Sequence, residues 1–151
     1  MDGLALKQLA YHMAVVAHEG QSRKGTGEPY IRHVERVADS VQGWEAKTVA
    51  YLHDLVEDTP VTFAALLQFF PRHIVDAVAT LTRDPKGAPD RETYREFIER
   101  CATSGDELAL EVKEADVRDN LRDINDVPGG GPSLERRYTS ALSRILAARS
   151  E

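Results

Sequence analysis

The chain has 151 residues, 42% hydrophobic and 29% charged, with a formal net charge of −6. That length suits one domain, residues 1–151, with room for a sizeable core. The acidic balance argues against nucleic acid or an anionic membrane surface as a partner, so an anionic ligand would need a local basic patch.

The start, MDGLALKQLA, has no basic n-region and no sustained apolar run, and no later stretch approaches membrane-spanning length. A cytoplasmic location is the expectation. Residues 4–19 place Leu6, Leu9, Ala10, Met13, Val16 and Ala17 at helical spacing, and Gly20 is a natural stop. His12 and His18 on this helix read as surface or core-edge residues. The segment GQSRKGTGEPYIRH follows, with Gly25 and Gly27 allowing close backbone approach to a ligand. Arg23 offers a planar fork for phosphate oxygens and Lys24 a compact charge. Taken alone, this loop reads more readily as a solvated turn with two surface cations.

Tyr30 to Val41 reads as a helix entered through Pro29, with His33 beside its apolar stripe. Taken alone, His33 is a core histidine. Gly43 breaks the period, and a helix beginning near Trp44 or Glu45 carries His53-Asp54-Leu55-Val56-Glu57-Asp58-Thr59. Val49, Leu52 and Val56 form its apolar stripe, and Tyr51 with Leu55 makes a second apolar side. His53 lies at the edge of the stripe, Glu57 one turn on, and Asp54 pairs with Asp58 at i, i+4. Burying these acids and the imidazole unpartnered would cost several kcal/mol, a cost that a cation removes. The His-Asp pair reads as half of a metal site.

Thr59-Pro60 ends that helix. Thr62 caps a short one through about Phe70, with Phe63, Leu66, Leu67 and Phe70 inward. Pro71 opens the next, where Ile74, Val75, Val78 and Leu81 face the core and His73 the surface. RDPKGAPD, residues 83–90, is a polar loop whose Lys86, like Arg91 after it, reads as a solvated cation. Asp90 is expected to cap a helix bearing Tyr94, Phe97, Ile98 and Cys101. Cys101, the only cysteine, excludes an internal disulfide and reads as buried packing in a reducing compartment. Residues 107–122 put Leu110, Val117 and Leu121 in the core and align Asp116 with Asn120 at i, i+4, facing either a shared polar site or solvent. VPGGGP, residues 127–132, is expected to be the most flexible stretch, and Ser133 to cap a last helix with Leu134, Tyr138, Leu142, Ile145 and Leu146 inward. Every period is helical, so the expected fold is an all-α bundle of about eight helices.

RKGTGEPYIRH, HDLVEDT and EADVRDNL, in that order, resemble the HD-domain metal-dependent phosphohydrolases, and more narrowly the small alarmone hydrolases and the hydrolase half of RelA/SpoT-type enzymes. The resemblance implies His33, His53, Asp54 and Asp116 as ligands of one Mn²⁺, with Fe²⁺ or another divalent metal also admitted by the mixed N/O donors. It implies Glu57 and Asp58 as the pair that positions and deprotonates the attacking water. Arg23 and Lys24 match the family's phosphate-facing cations, Asn120 its nucleotide-contacting asparagine, and Tyr138 a late substrate-contacting tyrosine. The implied reaction is release of pyrophosphate from the 3′-diphosphate of ppGpp or pppGpp. Two alternatives stand beside it: hydrolysis of another phosphorylated nucleotide or cofactor, and a non-catalytic nucleotide sensor. The partner is thus a small nucleotide, and a homodimer is a permitted assembly. The chain departs from the family pattern at Glu114, where an apolar residue is usual, at Leu134, where an arginine is usual, and over RDPKGAPDRETYREFIER.

Overall fold

The computed structural model describes residues 1–127 and 131–151. Among them are nine α-helices and one 3₁₀ turn: α1 (Gly3–Ala17), α2 (Ile31–Asp39), α3 (Gly43–Leu52), α4 (Leu55–Asp58), α5 (Phe63–Leu67), α6 (Arg72–Thr80), α7 (Tyr94–Ala102), α8 (Glu107–Arg122), the turn Ile124–Asp126, and α9 (Pro132–Arg149). The all-helical reading of the sequence holds. Among the described residues, no helix is long and apolar enough to cross a membrane.

Two helices organise the packing. α3 touches α1, α2, α6 and α8, while α8 touches α2, α3, α6, α7 and α9. α3 is apolar around much of its circumference, and Ala46, Val49, Ala50 and Leu52 are all buried. Thr48 is buried among them, and its hydroxyl donates to the Trp44 carbonyl at 2.6 Å, so no donor is stranded. α8 buries Ala109, Leu110, Val112, Ala115 and Val117, and also Lys113, Asp116 and Asp119. A core helix that buries three charges must pair them, which marks α8 as the polar wall of a site.

Several boundaries differ from the sequence expectation. The helix expected to run through HDLVEDT is broken: α3 ends at Leu52, His53 caps it, and α4 restarts at Leu55. α7 is capped by Thr93, not Asp90. Thr93 and Glu96 form a reciprocal capping box, and Asp90 lies in the preceding turn at φ 60°. α9 begins at Pro132, one residue before the expected cap at Ser133. Leu67 and Leu146, expected inward, are exposed; Phe70 is buried as expected, and Ala141 joins the core from α9. The expected flexibility of VPGGGP falls largely on residues 128–130, outside the described residues.

One glycine sets the shape of the loop after α1. Gly25 has φ +95°, and a Cβ there would lie 2.6 Å from the Asp126 carbonyl oxygen. The loop after α1 therefore closes onto the turn after α8, bringing Arg23 over the C-terminal half of α8.

Candidate metal centre and active site

α2, the α3–α4 break and α8 each deliver part of one buried cluster. His33 comes from α2, His53 and Asp54 from the break, and Asp116 from α8; one ligand atom from each lies within 4.8 Å of all the others. His53 Nε2 is 3.1 Å from Asp54 Oδ2 and 3.4 Å from Asp116 Oδ1. His33 Nε2 is 2.9 Å from Asp116 Oδ1 and 4.0 Å from Asp54 Oδ2. Both imidazoles are buried, at 1% and 2% exposure, so solvent does not satisfy them.

These residues fit a divalent cation. His53 Nδ1 lies 2.6 Å from the Ala50 carbonyl oxygen and donates to it, which leaves Nε2 to face the carboxylates. Nε2 is buried and has no hydrogen bond of its own. Donors about 2 Å from a shared ion lie about 3 to 4 Å apart, the spacing seen here. Two imidazoles and two carboxylates form a mixed N/O set suited to a first-row divalent metal.

Burial opposes charge on both imidazoles, yet the adjacent carboxylates outweigh it: Asp116 and Asp119 raise His33, and Asp54 with Asp116 raises His53 well above its ordinary value. Burial likewise opposes charge on the acids, but His53 holds Asp54 below the usual carboxylate range, and Lys113 with the two imidazoles holds Asp116 well below it. Tyr30 completes the arrangement, its hydroxyl donating to Asp54 Oδ2 at 2.5 Å.

Glu57 and Asp58 follow on α4 in different settings. Glu57 is occupied: its Oε1 accepts from the Arg83 backbone amide at 3.1 Å and its Oε2 from Arg91 Nη2 at 3.3 Å. Arg91 is therefore not the solvated cation expected from sequence. Asp58 is open to solvent at the rim. Partial withdrawal from water, then the charges of Asp54 and Glu57, push its carboxyl up to about 7.

The expected phosphate-facing residues gather on the other side. Arg23 Nη2 donates to Asn120 Oδ1 at 3.0 Å and to the Asp119 carbonyl at 3.3 Å, and its Nε to Asp123 Oδ2 at 3.4 Å. Arg23 and Asn120 thus meet each other, while Lys24 is exposed. Tyr138 is half-buried, its ring edge-on to Tyr94 at 5.9 Å. Glu114, the departure beside Asp116, turns away from the cluster to Arg118 at 3.0 Å and Arg149 at 2.8 Å. It serves the α8–α9 contact and leaves the centre unaltered.

Sequence reasoning missed three participants. Lys113 is buried, donates to Asp116 Oδ2 at 2.8 Å, and sits 4.8 Å from the Phe97 ring centroid. Asp119 meets the outer ring nitrogen of His33, and Arg36 in turn donates to Asp119. Lys113 and Asp119 flank Asp116 at i−3 and i+3, a spacing that placed them on its face of the helix. His18 was also underread: it is buried, packs on Tyr30 at 5.0 Å and meets Gln21 through Nδ1 at 2.8 Å.

An all-helical fold built around a buried His/Asp cluster defines a class, and the comparisons name it. The family model described as "HD domain" matches residues 10–149. The chain belongs to the HD domain family. It is 34% identical to guanosine-3′,5′-bis(diphosphate) 3′-pyrophosphohydrolase MESH1 of Danio rerio, over 89% of this chain and 79% of that protein. It is also 34% identical to the bifunctional (p)ppGpp synthase/hydrolase SpoT of Escherichia coli K12, over 97% of this chain and 21% of that protein. The chain therefore spans about a fifth of the length of SpoT. A solved structure described as "A metazoan ortholog of SpoT hydrolyzes ppGpp and plays a role in starvation responses" superposes with a TM-score of 0.80 at 27% identity, covering 95% of this chain and 85% of the other.

Proposed function

We propose that this chain is a Mn²⁺-dependent phosphohydrolase that cleaves guanosine 3′,5′-bis(diphosphate), or the corresponding pentaphosphate, at its 3′-diphosphate. The observation that carries the reading is the convergence of His33, His53, Asp54 and Asp116 beside Glu57 and Asp58. Relatives such as MESH1 bear this activity in their names. When bound, a divalent cation supplies Lewis acidity, lowering the pKa of a water and offsetting charge on phosphoryl oxygens.

The side chains divide the remaining work. Asp58, with a carboxyl near 7 and an open position, accepts the proton of the attacking water. Glu57, held by Arg91 and the Arg83 amide, keeps α4 and its neighbour in register. The water oxygen bonds to the phosphorus attached to the ribose 3′ oxygen, the 3′ O–P bond breaks, the 3′ oxygen takes up one proton, and GDP or GTP leaves with pyrophosphate. Arg23 and Lys24 hold phosphate oxygens, with Arg23 exchanging its Asp123 contact for the ligand. Asn120 and Tyr138 contact the nucleoside.

One observation favours a second reading, in which the same centre serves another phosphorylated nucleotide. The 83–91 loop, where the sequence departs from alarmone hydrolases, grips Glu57 directly. Incubation of the purified protein and Mn²⁺ with a nucleotide panel separates the two. Turnover of ppGpp with pyrophosphate release is expected; turnover of other nucleotides with none of ppGpp would replace the first reading by the second. Nucleotide binding without any turnover would point to a sensor.

A further inference from the structure

Asp119 lies one helical turn beyond Asp116 and is 8% exposed. Its Oδ2 accepts from His33 Nδ1 at 2.6 Å. Arg36 grips the same carboxylate twice, Nε to Oδ1 at 2.7 Å and Nη2 to Oδ2 at 3.1 Å, and also bonds Glu28 Oε1 at 2.6 Å. Asp119 is not among the four clustered donors. It touches the ring nitrogen of His33 that faces away from them.

We infer that Asp119 is a positioning residue of the metal centre: its carboxylate holds the His33 proton on Nδ1, leaving Nε2 for the ion, while Arg36, braced by Glu28, fixes the direction of that carboxylate. A neutral imidazole carries one proton, and whichever nitrogen keeps it is lost as a ligand. An acceptor on the outer nitrogen therefore selects both the tautomer and the ring orientation. Arg36 supplies a planar fork, so the carboxylate is held in direction as well as in place. A plain α2–α8 salt bridge would need Arg36 and Asp119 alone; the 2.6 Å contact to His33 adds a role in the centre.

The inference rests on His33 being a metal ligand, and the test separates the two ideas. Mn²⁺ is titrated calorimetrically into wild type, Asp119→Asn, Asp119→Ala and Arg36→Gln without nucleotide. Asp119→Ala is expected to bind Mn²⁺ roughly 10–100-fold more weakly. Asp119→Asn, which keeps an acceptor oxygen, and Arg36→Gln, which keeps the carboxylate, should fall between it and wild type. In Zn²⁺-loaded wild type, nitrogen-15 spectra of the imidazoles should place the His33 proton on Nδ1. If wild type binds no metal, the metal reading itself fails. If wild type binds and the Asp119 variants match it within about twofold, only the positioning role is overturned. Should the alanine chain not fold, Asp119→Asn decides by the same criterion.

Discussion

Replacement of His53 by alanine is expected to abolish Mn²⁺ binding and turnover together. His53 is 2% exposed, its Nδ1 is tied to the Ala50 carbonyl, and its Nε2 faces Asp54 and Asp116 with no hydrogen bond of its own. The other imidazole of the cluster, His33, approaches the same Asp116 Oδ1 at 2.9 Å and is already one of the four donors, so it does not take over the missing position. The loss in affinity should exceed the roughly 10–100-fold that removal of an outer-shell partner costs. Calorimetric titration with Mn²⁺ checks the binding and circular dichroism checks that the helices remain. A His53→Ala chain that binds Mn²⁺ as wild type does would remove His53 from the ligand set.

Asp58→Asn should separate chemistry from metal binding. Asp58 stands outside the four-residue cluster, so the variant is expected to keep its ion. What it loses is the carboxyl, pushed up to about 7 by partial burial and the charges of Asp54 and Glu57, that the proposed mechanism uses to accept the proton. A fall in kcat of about 10²–10⁴-fold is expected, with Mn²⁺ affinity little changed. Glu57→Gln should also lower kcat, through loss of the charged contact to Arg91 that holds α4. An unchanged rate in Asp58→Asn would move the proton-accepting role elsewhere.

The helices were legible in the chain because each buries one periodic stripe, and periodicity survives without knowledge of partners. The break at His53-Asp54 was not legible. Val49, Leu52 and Val56 keep helical spacing straight through it, and only tertiary packing shows that the backbone turns there. Thr93 outcompeted Asp90 as a cap because Glu96 three residues on completes a reciprocal pair.

The site was legible where residue type and order coincide, as at His33, His53, Asp54 and Asp116, which the fold brings into one cluster. Lys113, Asp119 and Arg36 escaped because a charged residue on a helix most often faces water. Their burial depends on α2 meeting α8, a contact between distant parts of the chain. Glu114 shows the reverse: an acid two residues before Asp116 projects from nearly the opposite side of the helix and pairs with Arg149.

The measurement that bears most directly on the shared cation is calorimetric titration of the wild-type chain with Mn²⁺ at about pH 6 and about pH 8.5. In the metal-free protein, His33 and His53 hold protons more tightly than usual because carboxylates surround them. The stability from those charged pairs is fully present below the ordinary imidazole value of about 6.5 and is lost as pH rises through the raised folded values. An incoming ion must displace the same protons. One Mn²⁺ per chain is expected, bound more tightly at the higher pH, with proton release at the lower. No saturable binding, or affinity that stays level or falls as pH rises, would contradict a centre built on His33 and His53.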